Sequence, residues 1–268
     1  MKKKHYIKTA LLSAISLFMS SCLNLEPLAN MGDNLVWDNA GNFQLFANQF
    51  YTWTRDFQMS TTVTYGNGIV DGPHSDFRSD LVATANLNAY SQGTNTIPSN
   101  DDNYTELYKR IYYTNLLLKN ARSFSDQASI VVPVAEAKFF RAYLYFELVQ
   151  IYGDVILVTE PLDLDSEQLY GKRDDRSIVI DQIITDLKEA TVLPETATEA
   201  GRLTKYAAYA MLSRVALYEG TWQKFHTNGA SATANTERSA ALLTIARDAA
   251  KEVMNSTKYK LFYNSTLG

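Results

Sequence analysis

The amino-acid sequence predicts an all-α fold, a tetratricopeptide-like helical repeat array that is interrupted by one long irregular loop insertion. Apolar residues recur at helical spacing over most of the chain beyond residue 36, whereas residues 58–103 lose that spacing and are rich in Thr, Asn, Ser and Gly. In addition, the helix predicted over residues 135–152 has two apolar faces. A helix of this kind packs between neighbours, as the inner helices of a stacked array do.

The first 35 residues have the organisation of an export signal followed by a tether. Four lysines within residues 2–8 precede an apolar stretch over residues 10–19, and two serines then precede Cys22, the only cysteine of the chain. The apolar stretch is too short to span a bilayer as a helix, and the three-part order is that of a signal peptide. We therefore expect a signal peptide over residues 1–21, lipidation of Cys22, and a lipid-anchored tether over residues 22–35. The alternative is an ordinary secreted protein whose leader contains a free thiol.

The domain itself is expected to occupy residues 36–268 and to begin with a helix near Asp38, a residue type that favours the N-cap position. The apolar face of this helix is formed by Phe46, Phe50, Trp53 and Phe57. The irregular insertion over residues 58–103 follows. Loops of this length within a compact domain are usually functional or disordered, and this one is the best candidate for a binding region.

Helical spacing returns at Tyr104, and Asp101 or Asp102 can cap the helix that begins there. The apolar face of this second helix is formed by Leu107, Ile111, Thr114 and Leu118. Together with the next helix it makes a helix-turn-helix unit about as long as a long tetratricopeptide repeat. We expect Asn115 and Arg141 to be structural, because the first can bond a neighbouring backbone and the second can bridge two helices.

The helix over residues 135–152 presents one apolar face that contains Phe146 and a second that contains Phe140. The polar stripe that separates these faces on one side consists of Glu136, Glu147 and Gln150. We expect both apolar faces to be buried, and we expect a change of Glu136 or Glu147 to cost well under about 1 kcal/mol. After residue 153 the pattern changes to an extended, β-branched run that ends at residue 161.

A second helical unit and a final helix complete the array. The apolar face of the unit's first helix is formed by Ile180, Ile183, Ile184 and Leu187. Gly201–Thr204 opens an alanine-rich helix, whose small side chains allow neighbouring backbones to approach closely. The final helix is expected from about Thr236 through Val253, with an apolar face formed by Ala241, Ile245 and Ala249.

Three separated blocks of the chain carry a family resemblance. The first is the cysteine that follows the signal peptide, and the second is Ala135–Pro161, which reads AEAKFFRAYLYFELVQIYGDVILVTEP. The third is Gly201–Lys205, which reads GRLTK and leads into the alanine-rich helix. These blocks resemble the SusD/RagB family of bacterial outer-membrane nutrient-binding lipoproteins. Ile156 stands where that family usually has proline, in the strand that follows its signature helix.

The resemblance implies a lipid-anchored protein at the cell outer membrane that faces the cell exterior and binds nutrients without catalysis. Such a protein captures an oligosaccharide or peptide ligand for a TonB-dependent, SusC-like outer-membrane transporter. Relatives continue for about as long again, so we expect the chain to be the N-terminal half, a SusD-like N-terminal domain. The competing interpretation is a helical-repeat adaptor at the outer membrane that binds only protein partners.

The insertion contains the candidate ligand-binding residues. Neutral sugars are bound by an aromatic ring against their apolar face, while Asp, Asn and Arg side chains bond their hydroxyl groups. The candidates of these types are Tyr65, Asp71, Asp76, Phe77, Arg78, Asp80, Tyr90 and Asn95. In the alternative interpretation, Phe77 and Tyr90 only fix the loop onto the helices, and Arg78 pairs with Asp76 or Asp80.

Charge and composition argue against other classes of function. Removal of residues 1–21, which contain four lysines and no acidic residue, takes the net charge from −4 to −8, and an acidic chain does not suit nucleic acid. The three histidines are His5, His74 and His226, so a histidine-based metal site would have to combine two distant loops. The sequence nominates no catalytic pair, no metal site and no cofactor.

Overall fold

The computed structural model describes residues 37–54, 92–94, 96, 99–226 and 235–260. The helices within these residues are α1 (Ala40–Asn48), α2 (Asp102–Ser123), α3 (Val131–Tyr152), α4 (Arg176–Ala190), α5 (Lys205–Phe225) and α6 (Thr236–Asn255). Short 3-10 turns lie at Gln49–Trp53, Gln127–Ile130 and Glu167–Tyr170. The described residues form no strand, and the extended run after α3 makes only an isolated β-bridge between Val155 and Asp174. The strand that the family resemblance implies here is therefore an extended segment.

From α2 onwards, each helix packs on the next helix in the chain, and α1 packs against α2 and α3. The predicted apolar faces of α2 and α4 are buried in this array. These contacts confirm the predicted all-α helical repeat fold. Among the described helices, none combines the length and the apolar character that a membrane crossing requires.

α3 lies inside the array, and both of its predicted apolar faces are buried. On one face the ring of Phe140 lies 5.8 Å from Phe50 and 5.1 Å from Tyr51, both in the 3-10 turn after α1. On the other face the ring of Phe146 lies 5.4 Å from Tyr218 of α5. These edge-on contacts are the geometry that aromatic pairs prefer. The prediction of two buried faces is confirmed.

Both glutamates of the polar stripe of α3 are buried as well, whereas Gln150 is half-buried. Glu136 exposes 1% of its surface and Glu147 exposes 6%. Glu136 accepts hydrogen bonds from Gln44 and from Arg202, which lie 92 and 66 residues away in the chain. The burial of both carboxylates contradicts the basis of the expectation that they are replaceable at little cost, and the partners of Glu136 come from distant parts of the chain.

Capping side chains fix where several helices begin and end. Asn39 caps α1, accepting a hydrogen bond from a first-turn N–H at 3.1 Å, so α1 begins just after Asn39 rather than at Asp38. Asp101 caps α2, as predicted. α3 ends at Gly153, whose φ of 71° lies in the left-handed region that favours glycine.

The buried face of α6 is formed by Ser239, Leu242, Ala246 and Ala249. Ala249 lies on this face as predicted, but Ala241 is exposed. The reason is a close approach of α5 at Gly220, where an added Cβ would lie 3.0 Å from the Leu243 side chain. The hydroxyl of Ser239 also donates to the Gly220 carbonyl at 2.7 Å. These two contacts set the rotation of α6 about its axis.

Candidate binding site

The predicted ligand-binding residues, from Tyr65 to Asn95 in the insertion, lie outside the described residues, as does the predicted lipidation site, Cys22. Their assignments therefore stay predictions. The structure describes the helical frame on both sides of the insertion, including residues 37–54 and 99–174. The distances and contacts described below are those of residues in this frame.

The residues that flank the insertion are held on the helices. Before the insertion, the ring of Trp53 lies 4.8 Å from Phe50 and 6.5 Å from Tyr113 of α2. At its end, Asp101 accepts a hydrogen bond from the Tyr152 hydroxyl at 2.7 Å, and this bond holds the pKa of Asp101 below its ordinary value. Residues 102–103, which the sequence assigns to the insertion, already belong to α2. Both flanks are thus fixed on the α2–α3 pair.

A buried carboxylate joins α1, α3 and the start of α5. Glu136 accepts hydrogen bonds from the Tyr51 hydroxyl at 2.5 Å, from Gln44 Nε2 at 2.9 Å and from Arg202 Nη1 at 3.4 Å. The Tyr51 hydroxyl in turn accepts from the Leu203 N–H at 3.1 Å. Burial, together with the bond to Glu136, raises the pKa of Tyr51, so this hydroxyl stays protonated as a donor.

A second buried network joins α2, α3 and α4. Arg141 forms a two-pronged pair with Asp186, with Nε–Oδ2 and Nη2–Oδ1 distances of 2.8 and 2.7 Å. Its Nη1 donates to Asn115 Oδ1 at 2.9 Å, and Asn115 Nδ2 donates to the Val158 carbonyl at 2.9 Å. Burial alone would lower the pKa of Arg141, but the hydrogen bonds and charge of Asp186 raise it. The structural roles predicted for Asn115 and Arg141 are confirmed.

Two buried tyrosines hold the extended segment after α3. The Tyr145 hydroxyl donates to the Val158 carbonyl at 2.9 Å and accepts from the Val158 N–H at 2.6 Å. The Tyr108 hydroxyl donates to the Ile156 carbonyl at 2.7 Å. Burial raises the pKa of both tyrosines, so each keeps the proton that its bond requires. The backbone of this segment is therefore fixed from the inside.

A third buried polar network, centred on an ion pair, joins α4 and α5. Arg176 Nη2 lies 2.7 Å from Glu219 Oε2, and its guanidinium lies 4.0 Å from the centre of the Trp222 ring. Gln223 Nε2 also donates to Glu219 at 2.7 Å. Each buried charge here has a partner, which is the arrangement of a structural network rather than of a reactive site. Across the described ranges, no group of three or more His, Cys, Asp or Glu side chains could hold a metal ion.

An apolar cavity of about 110 Å³ lies between α2 and residues 158–169. Its apolar walls are formed by Tyr108, Ile111, Tyr112, Val158, Leu162 and Leu169. Nearby on the same segment, Leu164 and Tyr170 expose 92% and 81% of their surface. Sequence reasoning missed this surface because helical spacing is absent from residues 160–172 and the alternation of Leu162 and Leu164 with aspartates ends after four residues. The available signal was the set of large apolar residues in an otherwise acidic loop.

The family model and the curated relatives that match this sequence all belong to one family. The model of a SusD-like family described as "Starch-binding associating with outer membrane" matches residues 42–217. The chain is 33% identical to SusD-like protein P25 of Formosa agariphila over 130 residues, which are 46% of this chain and 24% of that protein. It is 30% identical to SusD-like protein P2 of the same organism over 138 residues, 48% of this chain and 27% of that protein. The chain spans about a quarter of the length of these curated relatives.

Solved structures show the same fold. A SusD-like protein from Bacteroides fragilis superposes with a TM-score of 0.62 at 23% identity, covering 88% of this chain and 41% of that chain. A SusD superfamily protein from Parabacteroides distasonis superposes with a TM-score of 0.55 at 26% identity, covering 65% and 36%. Proteins of the SusD-like family bind ligands and are not enzymes. Because the family model matches more than half of the sequence, the chain belongs to the SusD-like family.

Proposed function

We propose that this chain is part of a cell-surface lipoprotein that captures glycans for a TonB-dependent, SusC-like transporter of the outer membrane. The family match over residues 42–217 carries the proposal, because that family is described as starch-binding and as associating with the outer membrane. A protein of similar fold was crystallised with a xylogluco-oligosaccharide, a ligand of the same class; its TM-score is 0.53 at 20% identity, covering 86% of this chain and 41% of that chain. Peptides are the second ligand class to test.

The glycan is proposed to bind the insertion, through the candidates between Tyr65 and Asn95. The frame supports this assignment, because Trp53 before the insertion is held against α2 and Asp101 at its end is held by α3. Binding loops are commonly positioned by a rigid scaffold of this kind. In this proposal, the ligand is held between the insertion and the transporter, and ligand and transporter together favour the closed state.

Calorimetric titration with oligosaccharides from starch and xyloglucan tests the glycan assignment. We expect one glycan class to bind, and we expect Tyr65→Ala with Tyr90→Ala to weaken that binding at least tenfold, about 1.4 kcal/mol, because both rings and their apolar contact area are lost. The matched control is Phe225→Ala, because Phe225 is an exposed aromatic residue at the end of α5. Binding that survives the paired insertion change, or no binding of any glycan, would contradict the proposal.

The lipid anchor is proposed to be Cys22. Cells that express the wild-type chain should incorporate radiolabelled fatty acid into it, and cells that express Cys22→Ala should not, because the thiol is the proposed acceptor. Equal labelling of the two proteins would show that this assignment is wrong. Purification of the wild-type protein from solubilised outer membranes tests whether it binds the transporter, which should then be purified together with it.

The competing function is a protein-interaction adaptor, and the apolar cavity beside α2 is the observation that favours it. An adaptor would bind protein partners and would give no calorimetric response to any oligosaccharide. The glycan titration therefore separates the two functions.

A further inference from the structure

The cavity between α2 and residues 158–169 lies beside strongly exposed apolar side chains. Leu164 and Tyr170 are almost fully exposed, and Leu169 and Tyr112 expose 43% and 42% of their surface. We call these four side chains and the cavity the loop surface. None of its residues belongs to the insertion. Apolar patches beside a pocket are typical of sites where proteins interact.

The segment that carries the loop surface is held in place by side chains of α2 and α3 and by a bond within the segment. Both backbone groups of Val158 bond the hydroxyl of Tyr145, and the Val158 carbonyl also accepts from Asn115. Gln168 Nε2 donates to the Leu157 carbonyl at 2.7 Å, which ties the far end of the segment to its beginning. A partner would meet a preformed surface and would lose little affinity to ordering it.

The cavity suits an apolar side chain better than a sugar. Its volume of about 110 Å³ is somewhat below the ~150 Å³ of an apolar cavity that accepts benzene, so a branched aliphatic side chain fits. The Tyr108 hydroxyl is already bonded to the Ile156 carbonyl, and Glu160 at the cavity is paired with Arg122 at 2.6 Å. A sugar would bury hydroxyl groups here with few partners, which is costly.

Three acidic residues lie in the segment that borders the cavity. Asp163, Asp165 and Glu167 fall between the two leucines of the cavity wall, and all three are exposed or partly exposed. In the described part of the chain none of these three carboxylates forms a salt bridge. The next basic residues, at 172–173, follow beyond the last lining residue. The charge of this segment is therefore complementary to Lys or Arg on a partner.

We propose that the loop surface docks a polypeptide segment in which a branched aliphatic side chain is flanked by Lys or Arg. The aliphatic side chain fills the cavity, and Leu164 and Tyr170 cover it from the side. The basic groups face the carboxylates of residues 163–167. This docking is independent of glycan binding by the insertion.

A set of three short peptides tests the proposal on the full chain. The probe is acetylated and amidated Gly-Lys-Leu-Lys-Gly, and the controls replace both Lys by Glu or the Leu by Ala. We expect the probe to shift the NMR signals of residues 108–112 and 158–170 with at least tenfold higher affinity than either control. Added salt should weaken this binding, because exposed charges are screened. Equal responses to the three peptides, or no response at millimolar concentration, would overturn the proposal.

Matched variants test whether the peptide occupies the loop surface. Leu169→Arg should abolish binding of the probe by blocking the cavity, whereas Leu217→Arg, on an exposed position of α5, should leave it unchanged. The combined change Asp163→Asn, Asp165→Asn and Glu167→Gln should remove the preference for Lys over Glu. Binding that survives Leu169→Arg would overturn the proposal. So would an oligosaccharide that shifts the same signals, or self-association that Leu169→Arg abolishes, since a sugar or a second copy would then be the occupant.

Discussion

α3 and the segment that follows it depart from the usual distribution of side chains in opposite directions. α3 buries charged groups, among them Glu136 and Arg141, whereas residues 162–170 expose Leu164 and Tyr170 almost fully. In α3 the buried charges have partners: Arg141 pairs with Asp186 through two hydrogen bonds, and Glu136 accepts three. Charges satisfied in this way fix the positions of the helices that supply them.

The two regions are physically connected. Asn115 and Tyr145, which belong to the helix pair, bond the backbone of Val158, and Arg141 holds Asn115 in place. The buried polar groups therefore position the segment as well as the helices. We infer that the two regions are related in this way: buried polar side chains of α2 and α3 hold the backbone of the segment after α3. The apolar side chains of that segment are then not needed to hold it in place and can contact a partner.

The largest effect is expected when the buried pair of α3 and α4 is broken. Arg141→Met should lower the free energy of unfolding by about 3–5 kcal/mol, because Asp186 would then be a fully buried charge without its main partner. Urea denaturation measures this change. The double variant Arg141→Met with Asp186→Leu should recover much of the loss. Arg247→Met, in an exposed pair with Asp248, should cause no measurable change. Equal stability of Arg141→Met and wild type would show that the pair does not support α3.

The two kinds of buried residue in α3 can be compared directly. Phe140→Ala and Phe146→Ala should each cost about 3–5 kcal/mol through lost burial and the cavity left behind. Glu136→Ala should cost about 1–3 kcal/mol, because the Tyr51 hydroxyl and the Gln44 amide would lose their acceptor. The measurement is again urea denaturation. A cost for Glu136→Ala close to zero would mean that Glu136 is buried but that its hydrogen bonds do not stabilise the fold.

A smaller effect is expected at the flank of the insertion. The hydrogen bond from Tyr152 lowers the pKa of Asp101 on folding. Asp101 therefore stabilises the fold at pH values above its unfolded pKa, about 3.9, and this contribution is lost as the pH falls through the lower folded value. Tyr152→Phe should move the pKa of Asp101 back up, and NMR titration of the carboxyl carbon measures it. An unchanged pKa in Tyr152→Phe would show that another contact is responsible.

The smallest effect on stability is expected on the loop surface. Leu164→Ser should change the free energy of unfolding by less than about 0.5 kcal/mol, because the side chain is 92% exposed. If the loop surface docks a partner, the same change should still weaken binding of the Lys-Leu-Lys peptide. A large loss of stability would mean that Leu164 belongs to the fold rather than to an interface.

The helices of this fold are predictable from sequence because their signals are local. The spacing of Phe140 and Phe146 on α3 predicts two buried faces, and the cap at Asp101 and the opening at Gly201–Thr204 mark where α2 and α5 begin. Burial of Glu136 is not predictable in this way, because its partners come from distant parts of the chain. The register of α6 likewise depends on the close approach of α5 at Gly220, which is a tertiary contact.

The two candidate sites also differ in how far local sequence signals predict them. Composition nominates aromatic and charged residues in the insertion, and that prediction lies outside the described residues. The loop surface has only a compositional signal in the sequence, its large apolar residues in an acidic loop, and no long periodic pattern distinguishes Leu162 and Leu169 from ordinary loop residues. Their proximity to Tyr112 arises only when Tyr145 and Asn115 draw the segment onto α2 and α3.

Amide hydrogen exchange at Val158 tests most directly whether buried side chains of the helices hold this segment. The Val158 N–H lies 2.6 Å from the Tyr145 hydroxyl, and no helical or sheet hydrogen bond protects it. We predict that this amide exchanges as slowly as the core amides of α3, and that Tyr145→Phe accelerates it far more than it accelerates those core amides. Rapid exchange at Val158 in the wild-type protein, at the rate of an open loop, would contradict the account.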